Sequence, residues 1–253
     1  MISFISATFN PATVIQQNAV FSWQLAEIPV FLANAASIPD VTVIPGIMTE
    51  ADLGFPGDSP VIRDMIRKAL PVIKTPMVGL INADILIEGR FGAVLQGIVE
   101  RYGTEVFLTG VRRDLDWDSP ITSREGLEKV LAMPFKWHQD ASADIFITSK
   151  ALWAEFCDAY QDFILGRLAW DNAIHSYFVN KGVPCYNASG FLKTWHQKHG
   201  YDHLSVGDFL SIQRDPRRHP STTHNSMCFS RFMGSLKDRS ILRVGSFKKI
   251  GAP

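Results

Sequence analysis

Three short stretches of this 253-residue chain hold side chains that could do chemistry. The first is Asn82-Ala83-Asp84, set inside the apolar run MVGLINADILIEG. A carboxylate buried in such a run is costly unless a cation, a hydrogen-bond network or exposure at a sheet edge offsets it. At the carboxyl end of a parallel strand, Asp84 would face the crevice where open α/β sheets bind ligands; the plainer alternative is that it caps the following turn. The second stretch, WHQKHGYDH, carries three of the seven histidines, His196, His199 and His203. Imidazole suits divalent transition metals, and histidines three or four apart share a helix face; a loop whose histidines are satisfied locally is the alternative.

The third stretch is GRLAWDN, where Arg167, Trp170 and Asp171 stand ahead of an apolar helix. Asp171 stands where it could cap that helix. Arg112 and Arg113, from LTGVRRDLD, join Arg167 as guanidinium groups able to pair phosphate oxygens bidentately. A metal and several arginines suit a diphosphate, whose charge grows as it leaves. A phosphodiester hydrolase would use similar groups, but more often with several carboxylates around two metals, and Asp84, Asp114, Asp116 and Asp171 are the ones at hand.

The elements that must position these groups alternate between strand and helix. ISFISAT reads as a buried first strand, Thr13 to Glu27 as a helix, and IPVFLAN and VTVI as short strands. The Gly/Pro/Asp-rich stretch between Pro45 and Pro60 reads as an active-site loop. Ser59 is expected to cap a helix beginning near Pro60, and MVGLINADILIEG to run as one strand. A helix from Arg90 to Tyr102, a strand over EVFLTGVRRDLDWD, a strand and helix over ADIFITSKALWAEF, a helix from Asp171 and a strand from Val183 to Asn187 follow. The pattern predicts an α/β fold with a mixed, mostly parallel sheet flanked by helices.

Composition bounds the rest. A chain this long fits one α/β domain, and its 46% hydrophobic content can build a core without staples. Cys157, Cys185 and Cys228 match neither a disulfide framework nor a zinc cluster, which fits a reducing cytoplasm. The opening MISFISATFNP shows no basic n-region or long apolar h-region, and no window reaches the roughly 20 apolar residues that a bilayer span needs, so a soluble, unexported chain without a membrane partner is expected. The formal net charge of zero hides an asymmetry: from Leu204 onward nine Lys or Arg face three Asp, so the tail is +6 and the remainder −6. Such a tail either meets a polyanion, with Arg214, Arg217 and Arg218 as the contacts, or only keeps the chain soluble.

INADILI, LTGVRRDLD, GRLAWDN and WHQKHGYDH, in that order, resemble the motifs of a GT-A-type glycosyltransferase family of plants, bacteria and phages. The likeness spans Pro60 to His203, and four ordered motifs are more specific than any one. It implies a single GT-A (Rossmann-like) domain over residues 1–203, with 204–253 as a basic extension packed on it. It also implies a nucleotide-sugar donor, UDP-sugar above others, and Mn2+ or Mg2+. By the same resemblance Asn82-Ala83-Asp84 stands for the DxD motif, with Asn82 replacing its first acid. Asp84 would bind the metal, and His196 or His199 would complete its coordination. Asp171 would be the base if the reaction inverts the anomeric centre, and Thr8, Asn82, Arg112, Arg113, Arg167 and Trp170 would line the donor. Some members of this fold group glycosylate hydroxymethylated pyrimidines in phage DNA, which makes such DNA the expected acceptor and the host cytoplasm the expected setting. A glycan, protein or small-molecule acceptor, a phosphodiester hydrolase and a sugar-nucleotide-binding module are the alternatives.

Overall fold

The computed structural model describes residues 1–8, 12–33, 38–138, 143–167, 169–199, 220–235 and 248–249. Strands β1 (Ile2–Ala7), β2 (Val30–Ala33), β3 (Thr42–Val43), β4 (Met77–Ile81), β6 (Phe107–Thr109), β9 (Ile145–Ser149), β10 (Cys185–Asn187) and β12 (Lys248–Lys249) form the main sheet. Its order is β12-β10-β6-β9-β4-β1-β2-β3. Every neighbouring pair is parallel except those of β9, which runs antiparallel to both β4 and β6. A smaller sheet of β5 (Ile85–Ile87), β11 (Thr194–Gln197), β7 (Arg113–Leu115) and β8 (Lys136–Trp137) has the order β5-β11-β7-β8.

Alternation along each central strand splits the core into two apolar layers. Ile5, Val78, Leu80 and Phe146 face one side and pack against α2 (Ile62–Ala69), α5 (Lys150–Ala159) and α6 (Trp170–Asn180). Phe4, Met77, Ile81, Ile145 and Ile147 face the other, against α1 (Val14–Leu25) and α3 (Phe91–Tyr102). Gly79 is required in β4 because a Cβ there would come within 2.8 Å of the Phe4 ring. A third cluster, with Leu86, Leu115, Leu127, Val130 and Trp195, lies between the small sheet and α4 (Arg124–Leu131).

The mostly parallel sheet and its flanking helices agree with the expected fold class, but two expected strands each divide. MVGLINADILIEG breaks at Asn82: its backbone N–H donates to the Asp144 carbonyl at 3.0 Å, and Ile85 N–H donates to the Asn82 carbonyl at 3.2 Å. The chain leaves the main sheet there and enters the small one. EVFLTGVRRDLDWD divides likewise into β6 and β7 around Gly110–Arg112. Ser59 does not cap α2. The N-cap is Val61, with no side-chain bond, and the Ser59 carbonyl instead accepts from Glu50 N–H. By contrast Thr13 caps α1 in a reciprocal box with Gln16.

The C-terminal helix α7 (Pro220–Ser235) is tied to the domain by Asn225, whose side chain accepts from Ile164 N–H and donates to the Ile164 carbonyl, both at 2.9 Å. Among the described residues, no helix is long and apolar enough to cross a membrane.

Candidate metal centre

The carboxyl ends of β1, β4, β6 and β10 open on one edge of the main sheet, and the break in MVGLINADILIEG puts Asp84 on that edge. The small sheet brings the histidines to it. Segment 194–197 is a strand rather than the helix face expected for the histidine cluster, with His196 paired to Ile85 and Asp114 across the sheet. The chain leaves the strand after Gln197 and carries His199 back toward the same point. His203 lies outside the described residues.

Gln197, fully buried, locks this arrangement. Its backbone N–H and its side-chain amide each donate to the Asp84 carbonyl at 3.2 Å, and the amide donates to Ile15 O at 2.9 Å. Its Oε1 accepts from Asn18 Nδ2 at 2.8 Å, so β11, the Asp84 turn and α1 are held together. Ser22 and Trp23 of α1 secure β5 in the same way, through Ile87 N–H and the Ile85 carbonyl.

The result is a triangle of possible ligand atoms. Asp84 Oδ2 lies 3.1 Å from His199 Nε2 and 3.4 Å from His196 Nε2, and the two imidazole nitrogens are 3.2 Å apart. Ligands about 2.1 Å from one ion, at right or tetrahedral angles, stand roughly 3.0–3.4 Å from one another. Protons alone fit less well. If both Nε2 atoms carry hydrogen, the His–His edge sets two donors face to face; if only one does, the other nitrogen sets a lone pair against the carboxylate. Asp84 Oδ1 is also buried with no hydrogen-bond partner among the described residues. An ion of divalent size fits between these three side chains. Burial alone would raise the Asp84 carboxyl, but the hydrogen bonds and charge of His196 and His199 outweigh it and hold it well below the usual range.

Around the triangle runs a charged network. Asn82 Nδ2 donates to Asp144 Oδ1 at 2.7 Å, and Arg112 Nη1 donates to Asp144 Oδ2 at 2.8 Å. Arg112 Nε donates to Asp114 Oδ1 at 3.0 Å; Asp114 Oδ2 meets His138 Nδ1 at 2.9 Å, and His196 Nδ1 faces Asp114 Oδ1 at 3.5 Å. Burial works against the Arg112 charge, but Asp144 more than compensates and raises its pKa. Asp114 is held low because its bonds to His138 and Arg112 exceed the effect of burial. No sequence motif sets Asp144, His138 or Gln197 apart as a site residue. The cue for Asp144 is its place directly before the apolar strand IFITS, matching Asp84 before ILI.

The remaining predicted residues separate. Asp171 stands in the first turn of α6, where burial, with a contribution from the charge of Asp144, pushes its carboxyl up to about 6. Thr8, at the end of β1, buries an Oγ1 with no partner among the described residues, while Phe9 to Pro11 lie outside them. Arg113 is turned away from the network around Asp84. The strand alternation turns it to the opposite face from Asp114, where its guanidinium lies over Trp137, Trp195 and Phe135 at 4.5, 5.0 and 5.3 Å. Arg167 is likewise committed elsewhere: Nε and Nη2 donate to Glu50 at 2.6 and 2.9 Å in a buried pair. Trp170 belongs to the core, its ring packed edge-on against Phe146. Arg214, Arg217 and Arg218 lie outside the described residues. Comparison with protein-family models and with curated proteins finds no match to this chain.

Proposed function

We propose that this chain is a metal-dependent glycosyltransferase of GT-A type, moving a sugar from a nucleotide-sugar donor to a hydroxyl acceptor. One observation carries the reading: a carboxylate and two imidazoles converge within 3.4 Å at the carboxyl edge of a mostly parallel sheet, where open α/β sheets bind ligands. Asp84, His196 and His199 would hold the ion, which when bound neutralises the charge developing on a departing nucleoside diphosphate. Asn82 secures the turn that presents Asp84, through its side chain and backbone on Asp144. Thr8, at the end of the neighbouring strand, offers a buried hydroxyl with no hydrogen-bond partner among the described residues.

Asp171 is the group assigned to the acceptor. Its raised pKa gives it the basicity to take a hydroxyl proton near neutral pH, more than an ordinary carboxylate has. The acceptor we favour is a hydroxymethylated pyrimidine in DNA, because the +6 tail supplies phosphate contacts that a small-molecule acceptor would not need. A base in duplex DNA would have to leave the stack to reach the site.

The test is a panel of UDP- and GDP-sugars with Mn2+, read as nucleoside diphosphate release with and without hydroxymethylated DNA. The reading predicts release that needs the metal and rises with the DNA. Release of phosphate or nucleotide without transfer would point to a hydrolase. Binding without turnover would point to a sugar-nucleotide-binding module. Two imidazoles and one carboxylate also serve iron(II) oxygen chemistry, so dioxygen consumption with Fe2+ and no diphosphate release would move the assignment there.

A further inference from the structure

We infer that Arg112 is a positioning residue, a strut that fixes the shape of the metal centre rather than a clamp on donor phosphate. The inference rests on the metal reading above. The three ligands come from two places: Asp84 rides on the turn leaving β4 in the main sheet, while His196 lies in β11 of the small one and His199 just after it. Gln197 ties the two at the backbone of Asp84. On the other side the tie is made of side chains, and Arg112 is its middle member.

A guanidinium is planar and rigid, and its Nε and Nη1 hydrogens point in different directions. Here one is given to Asp114 and the other to Asp144, two carboxylates thirty positions apart in sequence (114 and 144). Asp144 passes the constraint to Asn82, two residues before the ligand Asp84. Asp114 passes it to His196 by standing beside Nδ1, the nitrogen that faces away from the triangle. A carboxylate there favours a hydrogen on Nδ1 and a lone pair on Nε2, the arrangement that a metal requires, and His138 steadies the other oxygen of Asp114. The ring closes through Asn82, Asp144, Arg112, Asp114, His196 and Asp84. Two anions already balance the Arg112 charge, and only 9% of the residue is exposed, which leaves it poorly placed to attract a diphosphate.

The test is calorimetric titration of the full chain, and of its Arg112→Lys and Asp114→Asn variants, with Mn2+ alone, together with the Mn2+ electron paramagnetic resonance spectrum. A lysine ammonium is a single flexible point of charge and cannot reproduce the fixed spacing of Nε and Nη1 between the two carboxylates. The asparagine retains an oxygen for Arg112 Nε but removes the charge beside His196. Both variants should lose about 10–100-fold in Mn2+ affinity and show an altered spectrum, while the metal-free Asp114→Asn protein melts close to wild type. If Arg112→Lys does not fold, Asp114→Asn decides alone. Mn2+ affinity within about twofold of wild type in the folded variants overturns the strut. So does a raised donor KM at unchanged Mn2+ affinity, which would make Arg112 a phosphate ligand. A wild-type chain that binds no Mn2+ removes the metal reading and the strut together, so the two failures are distinguishable.

Discussion

Replacing Glu50 by Gln should destabilise the fold severely although Glu50 is outside the metal centre. Glu50 and Arg167 join the loop after β3 to the segment before α6 through a bidentate pair with side-chain exposures of 0% and 7%. Gly57, at a positive φ of 124°, leaves the carboxylate the space that a Cβ would fill. Glutamine keeps one acceptor but turns an N–H toward the guanidinium, and a buried cation loses its counter-charge. Breaking one side of a buried pair costs about 3–5 kcal/mol, and in a chain of this size each kcal/mol moves Tm by roughly 2–4 °C, so Tm should fall by on the order of 6–20 °C. The pH dependence fixes the sign. Burial raises the Glu50 carboxyl, but the hydrogen bond from Arg167, with Ser221 and the Arg167 charge after it, holds it below its ordinary 4.5. A depressed folded value means the contribution is complete above pH 4.5 and is lost as pH falls through the folded value. Melts followed by circular dichroism from neutral to acid pH should therefore show a large gap between wild type and Glu50→Gln that closes in acid. A variant melting within about 1 °C of wild type at neutral pH, or a gap that widens in acid, would refute the reasoning.

Asp84→Ala should leave the fold intact and abolish turnover. Wild type should gain about 2.7 kcal/mol from Mn2+ at a hundred times its Kd, and differential scanning fluorimetry should show that gain absent from the variant. Asp171→Asn should remove the decline in rate expected of wild type as pH drops through about 6, read as log(kcat/KM) against pH. The same group gives wild type stability that is complete below its ordinary 3.8 and lost as pH rises through about 6, and asparagine should flatten that slope in acid-range melts. Removing Arg214, Arg217 and Arg218 together should weaken DNA binding and lower the slope of log K against log salt by about 2.7 if each meets a phosphate; an unchanged slope in a filter-binding series would exclude the tail from the interface.

The fold class was legible because strand and helix alternate and the central strands are nearly continuous apolar runs. The breaks were not, because an apolar run keeps its pattern when it changes sheets. The turn at Asn82–Asp84 is dictated by a partner, Asp144, sixty-two positions away. Asp84, His196 and His199 were legible because their residue types are uncommon in such surroundings. The helix spacing that suggested sharing a face was the wrong geometry: a strand and the bend after it bring the imidazoles together. Arg113, Arg167 and Trp170 share their residue types with ligand-binding groups, but their roles are set by Trp137, Glu50 and Phe146, which no local pattern joins to them.

Whether Asp84, His196 and His199 hold one divalent ion can be read from anomalous scattering of crystals grown with Mn2+. A single strong peak is expected about 2.1 Å from an Asp84 carboxylate oxygen and from both Nε2 atoms. No peak at that triangle, or a peak held by other side chains, would contradict it.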